Sequence, residues 1–272
     1  MRSAWSAWLA GGLLLLVLGS ALLGPEIAPW QAEEMDWQAM EAPPSARHWF
    51  GTDLVGRDLF VRTMQGARVS LLVALIAISV SLCIGVPWGL LAGYSGGLLD
   101  QLMMRFVDAM YSLPLILIVI LLVVMFGRNP YLLFAALGAF FWLDIARIVR
   151  GQTLRVRHAG FVEAARAMGA STTHILLHHL LPNIRGPVIV YTTLAIPGVI
   201  LAESFISFLG LGIQEPDTSW GVLVADGVQT MESSPWLLLF PGTMLAVTVW
   251  ACNTLGDHLR DMMDLQQTDR IN

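Results

Sequence analysis

Lysine is absent from this sequence, and all 15 basic residues are arginine. A Walker A string, GxxxxGK[ST], needs a lysine to reach nucleotide phosphates, so these 272 residues cannot contain one. Charged residues are also scarce, at 13% against about 25% in a typical globular domain. The two cysteines, Cys83 and Cys252, lie in apolar runs, so neither a disulfide framework nor a metal-binding knuckle is indicated. No internal repeat supports an inverted-repeat secondary transporter.

Apolar residues dominate instead, at 56% of the chain, with a mean hydropathy of +0.67. A helix needs about 20 mainly apolar residues to cross a bilayer, and six stretches reach or approach that length. They are residues 8–24, 69–95, 106–126, 131–147, 187–213 and 236–255. The third is purely apolar only from Leu113 onward, so we expect its helix to begin near Phe106 and to kink at Pro114. The sequence predicts an all-α integral membrane protein with six transmembrane helices and a tight turn at 127–130.

Charge is distributed unevenly between the loops that join these stretches. Residues 147–186 contain six arginines and one acid, whereas residues 214–236 contain four acids and no arginine. Residues 25–68, named the acidic segment below, contain seven acids and four arginines. Since cytoplasmic loops are enriched in Lys and Arg, we expect 147–186 in the cytoplasm, with both termini on the same side. We expect the acidic segment, 127–130 and 214–236 to lie outside.

The first stretch has an alternative interpretation. It is short and follows a single Arg2, as the apolar region of a cleaved signal peptide does. No convincing cleavage site precedes Pro25, and the topology of the later spans is the same in both cases. A transmembrane helix is the favoured interpretation.

Residues 147–186, named the docking loop below, contain an amphipathic pattern at 161–181 that Gly169 interrupts. We expect Gly169 to end a first helix in the left-handed conformation, Ser171 or Thr172 to cap a second helix, and Pro182 to stop it. The simplest interpretation of the arginines at 155, 157 and 166 is that they are lipid-facing, positive-inside charges. A short helix with exposed small residues is suited to enter a partner's groove.

The docking loop resembles a known motif. Glu163-Ala164-Ala165, then Gly169, then Leu181-Pro182 resemble the EAA loop of ABC importer permeases, where it supplies a coupling helix for the ATP-binding subunit. The motif usually has an aliphatic residue where this chain has His179. The resemblance implies a type I ABC importer permease fold with a cytoplasmic coupling helix, and a docking role for Glu163, Ala164, Ala165, Gly169 and Pro182.

Further stretches narrow the resemblance to C-type subunits of the dipeptide/oligopeptide/nickel importers. They are residues 48–53, 56–58, 66–71, 203–212, 214–216, 219–221, 234–236 and 256–261. Together they extend the resemblance over residues 48–264. The implied domains are a cytoplasmic end and first helix at 1–24, the periplasmic acidic segment at 25–68, a five-helix core at 69–256 and a cytoplasmic tail at 257–272.

The resemblance also implies a function and an assembly. The chain would be a multi-pass inner-membrane permease, not an enzyme, and would form half of a peptide translocation pathway; nickel or another small solute is the alternative cargo. Its partners would be a B-type permease, two ATP-binding subunits that hold ATP and Mg²⁺, a periplasmic binding protein and the lipid bilayer. No cofactor of its own and no nucleic acid is expected.

A carboxylate inside a span is costly and faces protein or water, so Glu203 is a candidate pathway residue, and the alternative is a bridge between helices. His174, His178 and His179 share a helix face, but no carboxylate clusters with them and a metal site is disfavoured. A lone secondary transporter would normally show paired charges in several spans, and none is obvious in the sequence. An intramembrane hydrolase would need a His/Asp or Ser/Lys constellation at one depth, but the predicted spans contain no histidine and the chain contains no lysine.

Overall fold

The computed structural model describes residues 4–127 and 129–269, and helices make up most of them, with long non-helical segments at 28–58 and 209–219. The predictions that involve Arg2, Arg128 and residues 270–272 fall outside this part of the chain. Within it, strand pairing is limited to the isolated bridges Met35–Arg57 and Thr52–Asp58. The helices are α1 (Ala4–Ile27), α2 (Leu59–Ser95), α3 (Gly97–Tyr111), α4 (Leu115–Phe126), α5 (Pro130–Val156), α6 (Gly160–Ala167), α7 (Thr172–His174), a π-helical segment (Ile175–Leu180), α8 (Leu181–Phe208), α9 (Trp220–Gln229) and α10 (Trp236–Asp269).

Four helices are long and apolar enough to cross a membrane, and a fifth span exists if α3 and α4 form one broken crossing. The four are Trp5–Ile27, Leu59–Ser95, Thr172–Phe208 and Trp236–Met263. Helix α5 has 27 residues, but its second half carries Asp144 and the arginines at 147, 150 and 155. The all-α membrane fold is confirmed, whereas the sixth span stays a prediction.

Several predicted helix boundaries are wrong, by three residues at the end of α1 and by ten at the start of α2. Helix α1 continues past residue 24 to Ile27, and α2 begins at Leu59, inside the acidic segment, rather than at 69. Helix α5 continues well into the docking loop, and α10 runs to Asp269 without a break at 256. Hydropathy marks the apolar centre of a helix, whereas its ends are set by caps such as Asp58, which accepts the Val61 N–H at 3.0 Å.

The third predicted span is not a continuous helix. Helices α3 and α4 meet at an angle of 75° across residues 112–114. Pro114 has no N–H to donate and disfavours helical geometry in the preceding residue, and it is itself extended, with φ −64° and ψ 123°. The kink expected at Pro114 is present, but it is sharp enough to divide the expected helix into α3 and α4.

At Pro182, in contrast, the helix neither bends sharply nor ends, and it runs without interruption from Thr172 to Phe208. The preceding turns are π-helical, and the Leu181 N–H donates to the Leu176 carbonyl, five residues back. This widened turn accommodates a residue that lacks an N–H, and the Asn183 side-chain amide donates to the His179 carbonyl at 2.6 Å. The expectation that Pro182 stops the helix is wrong.

The core of the bundle is formed where α2 and α5 pack closely. Gly85, Gly89 and Gly93 lie four residues apart on the face of α2 that meets α5. A Cβ at Gly89 would lie 2.5 Å from the Ala146 carbonyl oxygen, and one at Gly85 would lie 2.8 Å from the Trp142 carbonyl oxygen. Small residues at such intervals allow helices in membranes to make backbone contact. Analysis of the sequence missed this pattern, although the GxxxGxxxG spacing signals it.

The acidic segment folds back and contacts both the loop after α8 and the first turns of α10. Phe50 stacks on Phe240, with ring centroids 4.0 Å apart. Arg57 pairs with Asp53 through Nε at 2.7 Å and with Glu215 through Nη2 at 2.9 Å. The Arg57 hydrogen bond lowers the pKa of the Glu215 carboxyl, so this attachment is charged on both sides at neutral pH.

Adding one methyl group to Gly89 tests the close α2–α5 contact. Gly89→Ala should destabilise the protein by about 1–3 kcal/mol, because the new Cβ meets backbone atoms that cannot move independently. Gly151→Ala in α5 is the matched control, since nothing in the structure lies within 4 Å of a Cβ there. Thermal unfolding in detergent should show a lower midpoint for Gly89→Ala alone. Equal midpoints for both variants would contradict the proposed packing.

Candidate functional site

The docking loop presents the short amphipathic helix α6. Val162 and Ala165 are buried, at 0% and 1% exposure, and belong to a cluster with Leu90, Val149 and Ile175. The opposite face is exposed. It carries Glu163, Ala164, Phe161 (42% exposed) and Met168 (81% exposed), the last of these at the end of the helix. One face therefore anchors α6 to the bundle, and the other presents small and apolar side chains.

The turn that follows α6 has the predicted geometry. Gly169 has φ 82°, and the Ala170 N–H donates to the Ala165 carbonyl at 3.0 Å, as in a Schellman cap. Ser171, of the two predicted caps, accepts from the His174 N–H at 3.3 Å. Nothing lies within 4 Å of a Cβ built at Gly169. Within this chain, glycine is favoured there by the backbone conformation rather than by lack of space.

Two arginines attach the docking loop to the end of α2. Arg157 Nη1 donates to the Gly93 carbonyl at 3.2 Å, and the Arg166 guanidinium lies 5.3 Å from the Tyr94 ring centroid. The interpretation of these two arginines as lipid-facing charges is therefore wrong. Capping the carbonyls of a helix end with a cation is favourable. The position of α6 depends on α2 as well as on α5.

The structure brings Glu163, Ala164, Ala165 and Gly169 together on α6 and its turn, whereas Pro182 lies farther along, in the continuous helix. The rings of His174 and His178 stack at 4.4 Å, and the His179 ring lies 5.5 Å from that of His174. Among the described residues, no group of three or more His, Cys, Asp or Glu side chains is arranged to hold a metal ion.

Glu203 is fully buried and surrounded by serine hydroxyls. Ser70 of α2 donates to its carboxylate at 3.0 Å and Ser207 of α8 at 2.8 Å. Ser70 also accepts from the Trp220 N–H at 3.3 Å, at the start of α9. These contacts connect three helices around one carboxylate and favour the bridging alternative. A pathway role for Glu203 stays a prediction.

Sequence analysis missed one polar cluster completely. Asp100 and Asp108 of α3 pair with Arg150 and Arg147 of α5. Opposite charges at helical spacing in neighbouring spans are a signal that could have identified it, but the pairing partners are about 40–50 residues apart in sequence. Asp144 accepts from the Tyr111 hydroxyl at 3.1 Å in the same cluster.

Fold and site together define an integral membrane protein with a short amphipathic helix, α6, that has one exposed face. Residues 85–267 match the family model described as binding-protein-dependent transport system inner membrane component. The chain belongs to this family of transport permeases and is a multi-pass inner-membrane protein, as predicted.

Its curated relatives are similar over nearly the whole chain. The oligopeptide transport system permease protein OppC of Haemophilus influenzae is 49% identical, covering 92% of this chain and 82% of that protein. OppC of Escherichia coli strain K12 is 47% identical, covering 93% and 84%. The dipeptide transport system permease protein DppC of Bacillus subtilis is 45% identical, covering 93% and 79%. The predicted resemblance to this group of permeases is confirmed.

A solved structure supports the fold. A chain of the MetNI methionine ABC transporter in an inward-facing conformation matches with a TM-score of 0.60 at 20% identity. The match covers 74% of this chain and 95% of that chain. Since identity is low, the likeness shows a shared fold, and it confirms the expected ABC importer permease architecture.

Substitutions at Glu203 separate bridging from a pathway role. Glu203→Ala should lower the free energy of unfolding by about 1–3 kcal/mol for each serine left unpaired in the interior. Glu203→Gln keeps the shape and most acceptors, so we expect a near-normal unfolding midpoint in detergent and near-normal uptake. A Glu203→Gln protein that is stable but inactive in transport would favour the pathway role instead.

Proposed function

We propose that this chain is the permease subunit of an ATP-driven peptide importer and forms half of its translocation pathway. The observation that carries the proposal is the 49% identity to an oligopeptide permease over 92% of the chain, together with an exposed docking helix of matching type. Fold likeness alone would not identify a cargo, because one fold serves many ligands. The relatives are oligopeptide and dipeptide permeases, which favours peptides over nickel.

The chain is the membrane component, and its partners supply energy and cargo. Two ATP-binding subunits hold ATP and Mg²⁺ beneath the docking loop, and a homologous B-type permease forms the other half of the pathway. A periplasmic binding protein delivers peptide from the side of the acidic segment, and both termini are cytoplasmic. The loop charge asymmetry supports this orientation. Helix α4 supports a membrane partner or lipid contact, since Leu117, Leu121 and Val124 are 60%, 58% and 77% exposed.

Each docking-loop residue has a distinct role in this proposal. Glu163 and Ala164 lie on the exposed face of α6 and contact the ATP-binding subunit, while Ala165 anchors the helix in the bundle. Gly169 allows the turn, because its φ of 82° is unfavourable for residues with a Cβ. Pro182 acts indirectly, by placing a π-helical turn between the docking helix and the span.

Stimulation of ATP hydrolysis tests the cargo assignment. The complete complex, reconstituted in liposomes with its binding protein, is given peptides of graded length or Ni²⁺. We expect peptides to raise the rate of ATP hydrolysis severalfold and Ni²⁺ to leave it at the basal rate. Stimulation by the metal alone would overturn the peptide assignment and favour the nickel alternative.

Gly169→Asp tests the docking role. The substitution should leave the chain inserted in the membrane but abolish assembly with the ATP-binding subunits, because a charged side chain then occupies the approach to α6. Gly210→Asp is the matched control: Gly210 has φ 74° and equally open surroundings but lies at the far end of α8. Co-purification of the ATP-binding subunits measures the effect. Normal assembly and uptake by Gly169→Asp would show that the loop does not dock the ATPase.

A further inference from the structure

Helix α3 is joined to the second half of α5 by a ladder of polar contacts that runs antiparallel along the two helices. Its rungs are Asp100–Arg150, Asp108–Arg147 and Tyr111–Asp144. The first rung is bidentate, with Nε–Oδ1 at 2.5 Å and Nη2–Oδ2 at 2.7 Å. It is also the most enclosed, since Asp100 is 6% exposed, whereas the Asp108 side chain is 66% exposed.

Apolar packing already holds α3 against its neighbours. Val107 lies fully buried in a cluster with Trp142, Leu143 and Ala146 of α5. The Asp100–Arg150 pair is only partly buried, since the Arg150 side chain is 34% exposed. Such an ion pair adds little net stability over apolar packing, but it can fix one register. The planar guanidinium fork makes that register specific. The main effect of the Asp100–Arg150 pair is therefore to fix how α3 aligns along α5. It contributes less to how strongly the two helices bind each other.

The Asp100–Arg150 end of the ladder lies close to α6, because Arg150 is in the part of α5 that belongs to the docking loop. Arg150 lies two helical turns before Arg157, which contacts the Gly93 carbonyl at the end of α2. Asp100 lies in the first turn of α3. Gly96 alone separates α3 from the end of α2. Helix α6 begins at Gly160, three residues after Arg157. Any displacement of α6 thus acts on the part of α5 that holds Asp100.

The Tyr111–Asp144 end of the ladder lies next to the bend that leads into α4. Helix α4 has one buried residue, Val119, among its described side chains, and Leu115, Leu122 and Val123 are partly buried against the same core cluster. The start of α4 is joined to α3 through residues 112–114, so a displacement of α3 reaches α4 at this bend. The ladder is therefore a direct mechanical connection between the docking loop and α4.

We propose that the Asp100–Arg150 pair is a positioning pair for transport, which makes α3 and the docking end of α5 move as one body so that movement of α6 reaches α4. The inference rests on the proposed function, since it requires that the docking loop binds the ATP-binding subunits. Neither residue contacts cargo or nucleotide. They act by transmitting displacement between the two ends of the ladder.

The test compares transport with ATP hydrolysis in the complete complex, reconstituted in liposomes with its binding protein. Asp100→Asn removes the charge, and Arg150→Lys keeps the charge but loses the fork. Both variants should assemble and hydrolyse ATP within about twofold of the wild-type rate, while peptide imported per ATP falls at least tenfold. The exchanged pair, Asp100→Arg with Arg150→Asp, should recover at least a third of that ratio. Asp108→Asn, at the exposed rung, is the matched control and should stay within twofold.

A wild-type import ratio in both single variants would overturn the inference. So would a loss of import that follows ATP hydrolysis or protein yield in proportion, because that result indicates a structural role only. If the exchanged pair does not fold, the ratio measured for Arg150→Lys decides.

A second measurement does not depend on the cargo. Spin labels at Val124 of α4 and Leu15 of α1, both well exposed, are introduced with Cys83 and Cys252 replaced by serine. The distance between them should change on ATP binding in the wild-type complex and not in Arg150→Lys. A change that persists in Arg150→Lys would overturn the inference. Failure of peptide to stimulate the wild-type complex would count against the proposed cargo and leave this test intact.

Discussion

Helices α2 and α5 make backbone contact because Gly85, Gly89 and Gly93 have no side chain where the helices meet. In a bilayer, lipid chains solvate apolar side chains as well as a neighbouring helix does, so close contact between small residues is a main source of helix association. The other functional elements are positioned by this pair. Helix α6 packs beside Val149 of α5 and is attached to the end of α2 through Arg157.

The buried carboxyl groups of Glu203 and Asp100 have two different kinds of hydrogen-bond partner. Glu203 is surrounded by the hydroxyls of Ser70 and Ser207, which join helices without a counter-charge. Asp100 instead receives both donors of one guanidinium from Arg150. A serine hydroxyl can hydrogen-bond a carboxyl group in many relative orientations, whereas a guanidinium binds it bidentately in few. The serine cluster is therefore suited to joining helices, and the ion pair is suited to fixing their register.

The two prolines that bear on predicted helix ends show where sequence analysis succeeds and fails. The turn at Gly169 was predicted because the requirement for positive φ is local. A kink was predicted at Pro114, but neither the size of the bend there nor the continuation of helix through Pro182 was predicted, since the effect of a proline depends on how its surroundings satisfy the free carbonyls. At Pro182 a π-helical turn and Asn183 compensate, whereas at Pro114 the chain bends by 75°. The local sequence of the two sites did not distinguish these outcomes.

The sequence by itself determined that the chain lies in a membrane, that charge is distributed unevenly between its loops, and that a short amphipathic helix precedes Gly169, because composition and short-range spacing encode each of them. Lysine's absence excluded a Walker A string in the same direct way. Only the tertiary structure decided that Asp100 pairs with Arg150, that Glu203 lies among serines, and that Arg157 holds the end of α2. These pairings follow from how helices far apart in sequence align along one another, and that alignment depends on packing across the whole bundle.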